Sequence, residues 1–336
     1  EYLAAFDADD GKELWRTPIG AVFPNQFGNG PRATPTLDGD LVYVLGGNGR
    51  LVAARADSGE LVWSVEATTA FGAEVPRFGF SGSSIVVGDH LLQDIGGKDG
   101  AALVFLDKRT GEKKRGVLDG PAGYSSPILA TFGGTPQIVL IRGRSVVGLD
   151  VDGAQLWSHP VEGGVVAMPL PVGDDRLFLS AGDDTGCALL RVAKNDDGWA
   201  VEEVWKNRAM RNHFNSSVVV GDTIYGFDNA TVKAVSVENG EIAWARRGLG
   251  KGSLVASGGT LAVLTDKGEL KLVRATPDAY REVAAVQAIE GKSWTSPAIV
   301  GNRVFVRNLE HMACVEVGRR ESRQAWSSSA GSWSRR

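Results

Sequence analysis

The sequence predicts an all-β chain, a β-propeller of four-stranded antiparallel blades, on three observations. First, one turn element recurs. Asp7-Ala8-Asp9-Asp10-Gly11-Lys12-Glu13-Leu14-Trp15 returns, altered, at 56–63, 150–157 and 237–244, and without its tryptophan at 107–112. A stretched copy spans 191–205, with Asn195-Asp196-Asp197-Gly198 as its turn. Spacing of about 40–50 residues marks one small supersecondary unit used many times. Second, short apolar runs are separated by Gly-Asp or Gly-Asn pairs, as in Val220-Gly221-Asp222-Thr223-Ile224-Tyr225. Such pairs favour tight hairpins because their central residues need positive φ. Third, the repeat lacks the 3.6-residue apolar period of an amphipathic helix.

Each unit unfolds in four steps. It opens on a short strand led by small or polar residues and often a proline, as in Ala33-Thr34-Pro35-Thr36, Ser125-Ser126-Pro127-Ile128 and Thr295-Ser296-Pro297-Ala298. A hairpin and an apolar strand follow, as in Asp38-Gly39-Asp40-Leu41-Val42-Tyr43. A third strand, such as Leu51-Val52-Ala53-Ala54, leads into the recurring turn, where Asp accepts bonds from turn amides and Gly takes the left-handed position. The closing tryptophan supplies a large, half-buried contact area, which makes Trp15, Trp63, Trp157, Trp205 and Trp244 the anchors of the repeat.

Counting turns gives six complete units, centred on Gly59, Gly111, Gly153, Gly198, Gly240 and the degenerate Pro277-Asp278. Residues 294–317 supply three strands of another unit, and 2–17 only the last two. The simplest expectation is eight blades, the first and last incomplete. The alternative is seven, with the chain ends combining in one blade. The propeller is expected to occupy 1–318 as a single domain. Residues 319–336, rich in Ser and Arg and without strand period, are expected to form a disordered tail.

The bulk numbers narrow the function. A net charge of -4 argues against a nucleic-acid footprint, which needs a concentrated basic face. No apolar run is long enough to span a bilayer as a helix. Cys187 and Cys314 belong to different repeats and read as buried free thiols; His90, His159, His213 and His311 lack metal-ligand spacing. Gly248-Leu249-Gly250-Lys251-Gly252-Ser253 departs from the order of a phosphate loop. The chain opens at Glu1-Tyr2-Leu3-Ala4-Ala5-Phe6, already inside a repeat strand, so the natural N-terminus is expected upstream.

The copies at 5–15, 54–63 and 106–112 resemble the PQQ-type propeller repeat, named after pyrroloquinoline-quinone enzymes. Over about residues 1–317 the chain resembles the PQQ-binding-like repeat proteins that bacteria export, a family that includes the propeller lipoprotein of outer-membrane protein assembly. The resemblance implies a periplasmic or secreted protein. It also implies two functions. One is a non-catalytic module that binds or scaffolds an unidentified protein or small molecule through the channel rim. The other is an oxidoreductase of alcohol- or sugar-dehydrogenase type using PQQ and calcium. The sequence has neither the adjacent cysteine pair nor the haem-attachment motif of many such enzymes. In a propeller the first strand of each blade lines the channel. That mapping gathers Arg32, Tyr124, Asn212, His213, Lys251 and Trp294 at one mouth, overhung by Gln26, Phe27, Arg77 and Phe78. Cations, an imidazole and aromatics together suit an anionic or aromatic ligand. The same residues would also serve as packing and pairing groups between blades.

Overall fold

The computed structural model describes residues 1–182 and 184–318 and the backbone of Trp333–Ser334. Strands β1 (Tyr2–Phe6) and β2 (Glu13–Pro18) form a two-stranded sheet of their own. Seven four-stranded sheets follow. The first blade is β3–β6 (Thr36–Asp38, Leu41–Leu45, Arg50–Arg55, Leu61–Glu66), and one helical turn, α1 (Ala67–Ala70), leaves it. The second is β7–β10 (Ile85–Val87, His90–Asp94, Leu103–Asp107, Lys113–Val117). The third is β11–β14 (Ile128–Phe132, Thr135–Arg142, Ser145–Leu149, Gln155–Pro160). The fourth is β15–β18 (Leu170–Val172, Arg176–Ala181, Gly186–Asn195, Gly198–Asn207). The fifth is β19–β22 (Val218–Val220, Thr223–Asp228, Thr231–Ser236, Ile242–Arg246). The sixth is β23–β26 (Ser253–Ser257, Thr260–Leu264, Glu269–Arg274, Arg281–Gln287). The seventh is β27–β30 (Ala298–Val300, Arg303–Arg307, His311–Glu316, Trp333–Ser334). Within each sheet the strands lie in chain order, so every blade is a meander.

The propeller blades are therefore seven, and the eight-bladed expectation is overturned. The hairpin at Asp7–Trp15 reproduces the repeat faithfully, but among the described residues β1 and β2 gain no further strand and make no eighth blade. The alternative count of seven holds, but not by the chain ends sharing one blade, because the fourth strand of the last blade is β30, paired with β29 through His311↔Ser334 and Met312↔Trp333. The rest of the expected tail, 319–332 and 335–336, lies outside the described residues.

By their internal contacts the residues gather into two units: Glu1–Asp7, Lys12–Leu177 and Leu190–Glu202 in one, Ala8–Gly11, Phe178–Leu189 and Glu203–Arg336 in the other. Strands buried on both faces read as continuous apolar runs. β4 (LVYVL) is buried at all five positions, whereas the outermost β6 is mostly exposed. In the first unit Leu41, Tyr43, Leu45, Leu51, Ala53 and Trp63 pack with Leu91, Val104 and Leu106 of the second blade. In the second unit Tyr225, Val232, Ala234 and Trp244 pack with Leu254, Leu261 and Val263. Each large side chain so buried contributes about 1.5–3 kcal/mol.

The anchor tryptophans act on the following repeat. The indole Nε1 of Trp15 donates to the Ala56 carbonyl (3.1 Å), Trp63 to Lys108 (3.1 Å), Trp205 to Val237 (2.9 Å) and Trp244 to Thr276 (2.8 Å). The ring of Trp15 lies over Gly59, where an added Cβ would meet Cε3 at 2.5 Å, and Trp63 covers Gly111 in the same way. The turn glycine is thus fixed twice, by its left-handed backbone (φ 72° at Gly59) and by the ring above it. Where the 107–112 copy has lost its tryptophan, Arg115 takes the position. Its guanidinium stacks on Phe105 at 4.2 Å and donates to the Val151 carbonyl (3.3 Å). Trp157 departs from the pattern and bonds Gln137 Oε1 in its own blade (2.6 Å).

Candidate functional site

The loop after β2 and the loops entering β7 and β11 build one cluster in the first unit. Phe27 packs on Phe78 (5.9 Å between ring centroids) and Phe78 on Tyr124 (5.6 Å). The Tyr124 hydroxyl accepts the Phe78 amide (3.3 Å), and its carbonyl accepts Ser81 Oγ (3.0 Å). Arg77 lies over the Phe78 ring at 5.2 Å. Arg32 donates to the Gly30 and Gly28 carbonyls (2.7 and 3.0 Å) and stacks over Phe23 (5.2 Å), so it braces the loop that carries Phe27. Burial pulls its guanidinium below the ordinary range, while Glu1 and Tyr124 pull the other way. The Glu1 carboxylate holds the same loop through the Phe23 and Gly47 amides (3.2 and 2.9 Å). Phe27 remains 48% exposed, so the cluster presents an aromatic face with a cation on it.

Behind Tyr124 lies a buried ion pair that sequence reasoning missed. Arg142 meets Asp94 at 2.6 Å, and both side chains are almost wholly buried. Arg142 also donates to the Asp119 and Gly120 carbonyls (2.9 and 2.6 Å), and Asp94 accepts the Gly123 amide (3.3 Å). The pair straps down the loop leading to Tyr124. Burial pushes the Asp94 carboxyl up to about 6, against the pull of Arg142. The available signal was a charge closing each of two apolar strands, Asp94 at the end of β8 and Arg142 at the end of β12.

The second unit holds another aromatic group. His213 packs edge-on to Phe214 (5.3 Å), Phe214 on Trp294 (4.8 Å), and Lys292 Nζ sits 3.6 Å from the Trp294 ring centroid. Phe214 and Lys292 were not among the expected site residues. Asn212 is buried with its polar atoms engaged: Nδ2 donates to the Phe227 carbonyl (3.1 Å), Oδ1 accepts Ser217 Oγ (2.9 Å), and its amide donates to Ser180 Oγ (2.9 Å). Its neighbour Arg211 forks onto Asp228 (2.7 and 3.2 Å), which Lys233 also meets. Burial raises the Asp228 carboxyl, but these two cations outweigh it and hold it below the usual range. Lys251 is half-buried beside Gly250, which packs against the Asp266 carboxyl. The structure thus brings Arg32, Arg77 and Tyr124 into one cluster, and His213 and Trp294 into another.

The polar leaders of the first strands stitch neighbouring blades. The Thr34 amide donates to Ser83 Oγ (2.8 Å), the Ser83 amide to Ser126 Oγ (2.9 Å), Ser125 Oγ to the Ala167 carbonyl (3.2 Å) and Ser253 Oγ to the Thr295 carbonyl (2.8 Å). Among the described residues no group of three or more His, Cys, Asp or Glu side chains is gathered to hold a metal ion. Among the described residues the two buried aspartates, Asp94 and Asp228, are already committed to cations.

The family described as Outer membrane protein assembly factor BamB matches residues 1–246, and the chain belongs to it. No curated protein matches the chain in sequence. Among solved structures, BamB from Moraxella catarrhalis is similar at 17% identity and TM-score 0.68, covering 94% of this chain and 88% of that one. Apo AztD from Citrobacter koseri is similar at 11% identity and TM-score 0.60, with 94% and 88% covered. The quinohemoprotein alcohol dehydrogenase from Comamonas testosteroni reaches TM-score 0.59 at 11% identity, covering 93% of this chain and 67% of that one. At such identities the likeness carries the fold, a PQQ-type repeat propeller, and fold does not fix function. No helix is long and apolar enough to cross a membrane among the described residues.

Proposed function

We propose that the chain is a non-catalytic binding or scaffolding propeller, exported to the periplasm or secreted, that holds a protein partner on the rim carrying Phe27, Phe78, Arg77 and Tyr124. The observation that carries this reading is the packed aromatic cluster, with Phe27 exposed and Phe78 and Tyr124 half-buried, and its cation, built on a loop that Arg32 and Glu1 brace. Exposed aromatics and arginine in a pre-formed patch are the residue types that dominate protein interfaces. The family description, a factor in outer-membrane protein assembly, supports a protein partner and an extracytoplasmic setting.

A photo-crosslinking residue at Phe27, in cells that make the protein, tests it. One protein adduct at Phe27 and none at exposed Val283 on β26 is the expected result. Equal labelling at both positions would remove the rim from the reading. Purified protein given PQQ and Ca²⁺ is expected to leave the quinone absorption unshifted. A shift with dye reduction on addition of alcohols or sugars would replace this reading with the quinoprotein one.

A further inference from the structure

The aromatic rim differs in sign from the chain as a whole. The chain has a net charge of -4. Arginines of its repeats are matched to carboxylates: Arg55 and Arg109 each meet Asp40 at 2.8 Å, and Arg303 meets Asp9 at 2.6 Å. Around Phe78 and Tyr124 the acids are engaged elsewhere. The Glu1 carboxylate takes the Phe23 and Gly47 amides, Asp94 takes Arg142, and exposed Glu74 stands 3.6 Å from Lys98. Two guanidiniums differ from those of the repeats. Arg77 is exposed and lies over the Phe78 ring, and among the described residues no carboxylate pairs with it. Arg32 is half-buried, and among the described residues its hydrogen bonds go to carbonyls alone.

The donors suit a carboxylate. A guanidinium stacked on a ring is already oriented, and its N–H fork matches the two oxygens of a carboxylate. Tyr124 adds to it. Its hydroxyl accepts the Phe78 amide (3.3 Å), so its own proton remains to be donated, and no acceptor for it stands among the described residues. Arg32 and Tyr124 act on each other electrostatically, so both belong to one field. Alongside these donors lie Phe78 and the exposed ring of Phe27. An inorganic anion would use the cations and leave the rings bare. An uncharged apolar segment would cover the rings and desolvate the cations without pairing them. A carboxylate next to an apolar side chain answers both.

We infer that the rim takes an extended acidic segment of its protein partner, in which carboxylates flank an apolar residue. One carboxylate pairs with Arg77, and the apolar side chain covers Phe27 and Phe78. The inference rests on the reading of this rim as a protein-binding face and names the chemistry of the partner. Arg77 is the specificity residue, since the same charge that draws acidic segments rejects basic ones.

The test uses the purified whole chain and the peptide acetyl-Gly-Glu-Leu-Glu-Gly-amide, carrying an uncharged dye and read by fluorescence anisotropy. At low salt this peptide is expected to bind at least about tenfold more tightly than its Gln-Leu-Gln counterpart, the scale of one charge-assisted contact. Arg77→Gln should erase that preference, and Arg77→Lys should keep part of it, because lysine retains the charge without the fork. Arg247→Gln, at an exposed arginine of the other unit, should leave it unchanged. Equal binding of the two peptides, or binding of neither at about 1 mM, would overturn the inference. So would an equal loss in Arg77→Gln and Arg247→Gln, which would mean attraction to charge anywhere on the surface. Displacement of the peptide by equimolar inorganic phosphate would overturn it too, since the cations would then hold an anion without the rings. The crosslink at Phe27 separates this inference from the reading beneath it. A protein adduct there without a preference for the Glu peptide keeps the rim and removes the acidic partner, whereas equal labelling at Phe27 and Val283 removes both.

Discussion

Gly59 and Gly39 separate two reasons for a glycine. Both have positive φ, but Gly39 has open space where a Cβ would go, and Gly59 has the Trp15 ring. Gly39→Ala should therefore cost about 1 kcal/mol of backbone strain, and Gly59→Ala about 2–4 kcal/mol, because the clash adds to the strain. Urea unfolding of the two variants checks the difference; equal costs would mean that the ring moves aside freely. Asp94 and Asp228 form a second contrast, since both are buried carboxylates but one has a single cation and the other two. Asp94 titrates at about 6 when folded, above its unfolded value. The folded chain therefore holds the extra proton, and this contribution is full below about pH 4 and lost as pH rises through about 6. Asp228 is held low, so its contribution has the opposite sign and is lost only in acid. Asp94→Asn should differ least from the wild-type chain near pH 4, where burial already keeps Asp94 neutral beside Arg142. It should also remove a fall in stability of about 1–3 kcal/mol between pH 4 and pH 7. Denaturant midpoints across that range read the slope directly.

At the scale of the element, the link from each fourth strand to the next turn is an aromatic on a glycine plus one hydrogen bond, and Arg115 shows that the link outlives the aromatic. Arg115→Ala should cost about 1–2 kcal/mol through lost stacking on Phe105 and the lost bond to Val151, less than the about 3–5 kcal/mol expected for Trp244→Ala. Thermal or urea unfolding of both variants ranks them, and a silent Arg115→Ala would mean that the second blade docks without this link. The substitution also explains what the sequence could show. Strand order and hairpins were legible because Gly-Asp turns and the Asp-to-Trp element are local signals repeated many times. Arg115 was read only as a loss, because taking over the tryptophan's place depends on where Phe105 and Val151 lie. The site was legible in part for the same reason. Tyr124, Arg77 and Arg32 stand out at the heads of strands, whereas Phe23, Glu1 and the Asp94–Arg142 strap are joined across tens of residues. Asn212 looked like a ligand group, yet its partners Ser180, Ser217 and Phe227 consume it within the fold.

For the whole chain, the same logic explains why seven blades read as eight. The repeat marks the hairpin between third and fourth strands, and β1–β2 carries that mark complete with Trp15, whereas β30 is two residues in a Ser- and Arg-rich segment and carries no period. Periodicity counts hairpins; blades are counted by the strands that join them. Function follows a similar rule. The repeat turns hold many of the acidic residues, and two of them show the use: Asp107 accepts the Arg109 and Thr110 amides, and Asp150 the Asp152 and Ala154 amides. Acidic groups used this way do not converge, so the chain should be indifferent to calcium. A site with a dissociation constant of about 10 μM, saturated at about 1 mM Ca²⁺, would add about 2.7 kcal/mol to stability. That amount moves the Tm of a chain this size by several degrees. Melting curves in about 1 mM Ca²⁺ and in chelator should therefore superimpose within a degree. A shift of several degrees would reveal a cation site among these turns or at the rim, and would reopen the quinoprotein reading on the protein's own thermodynamics.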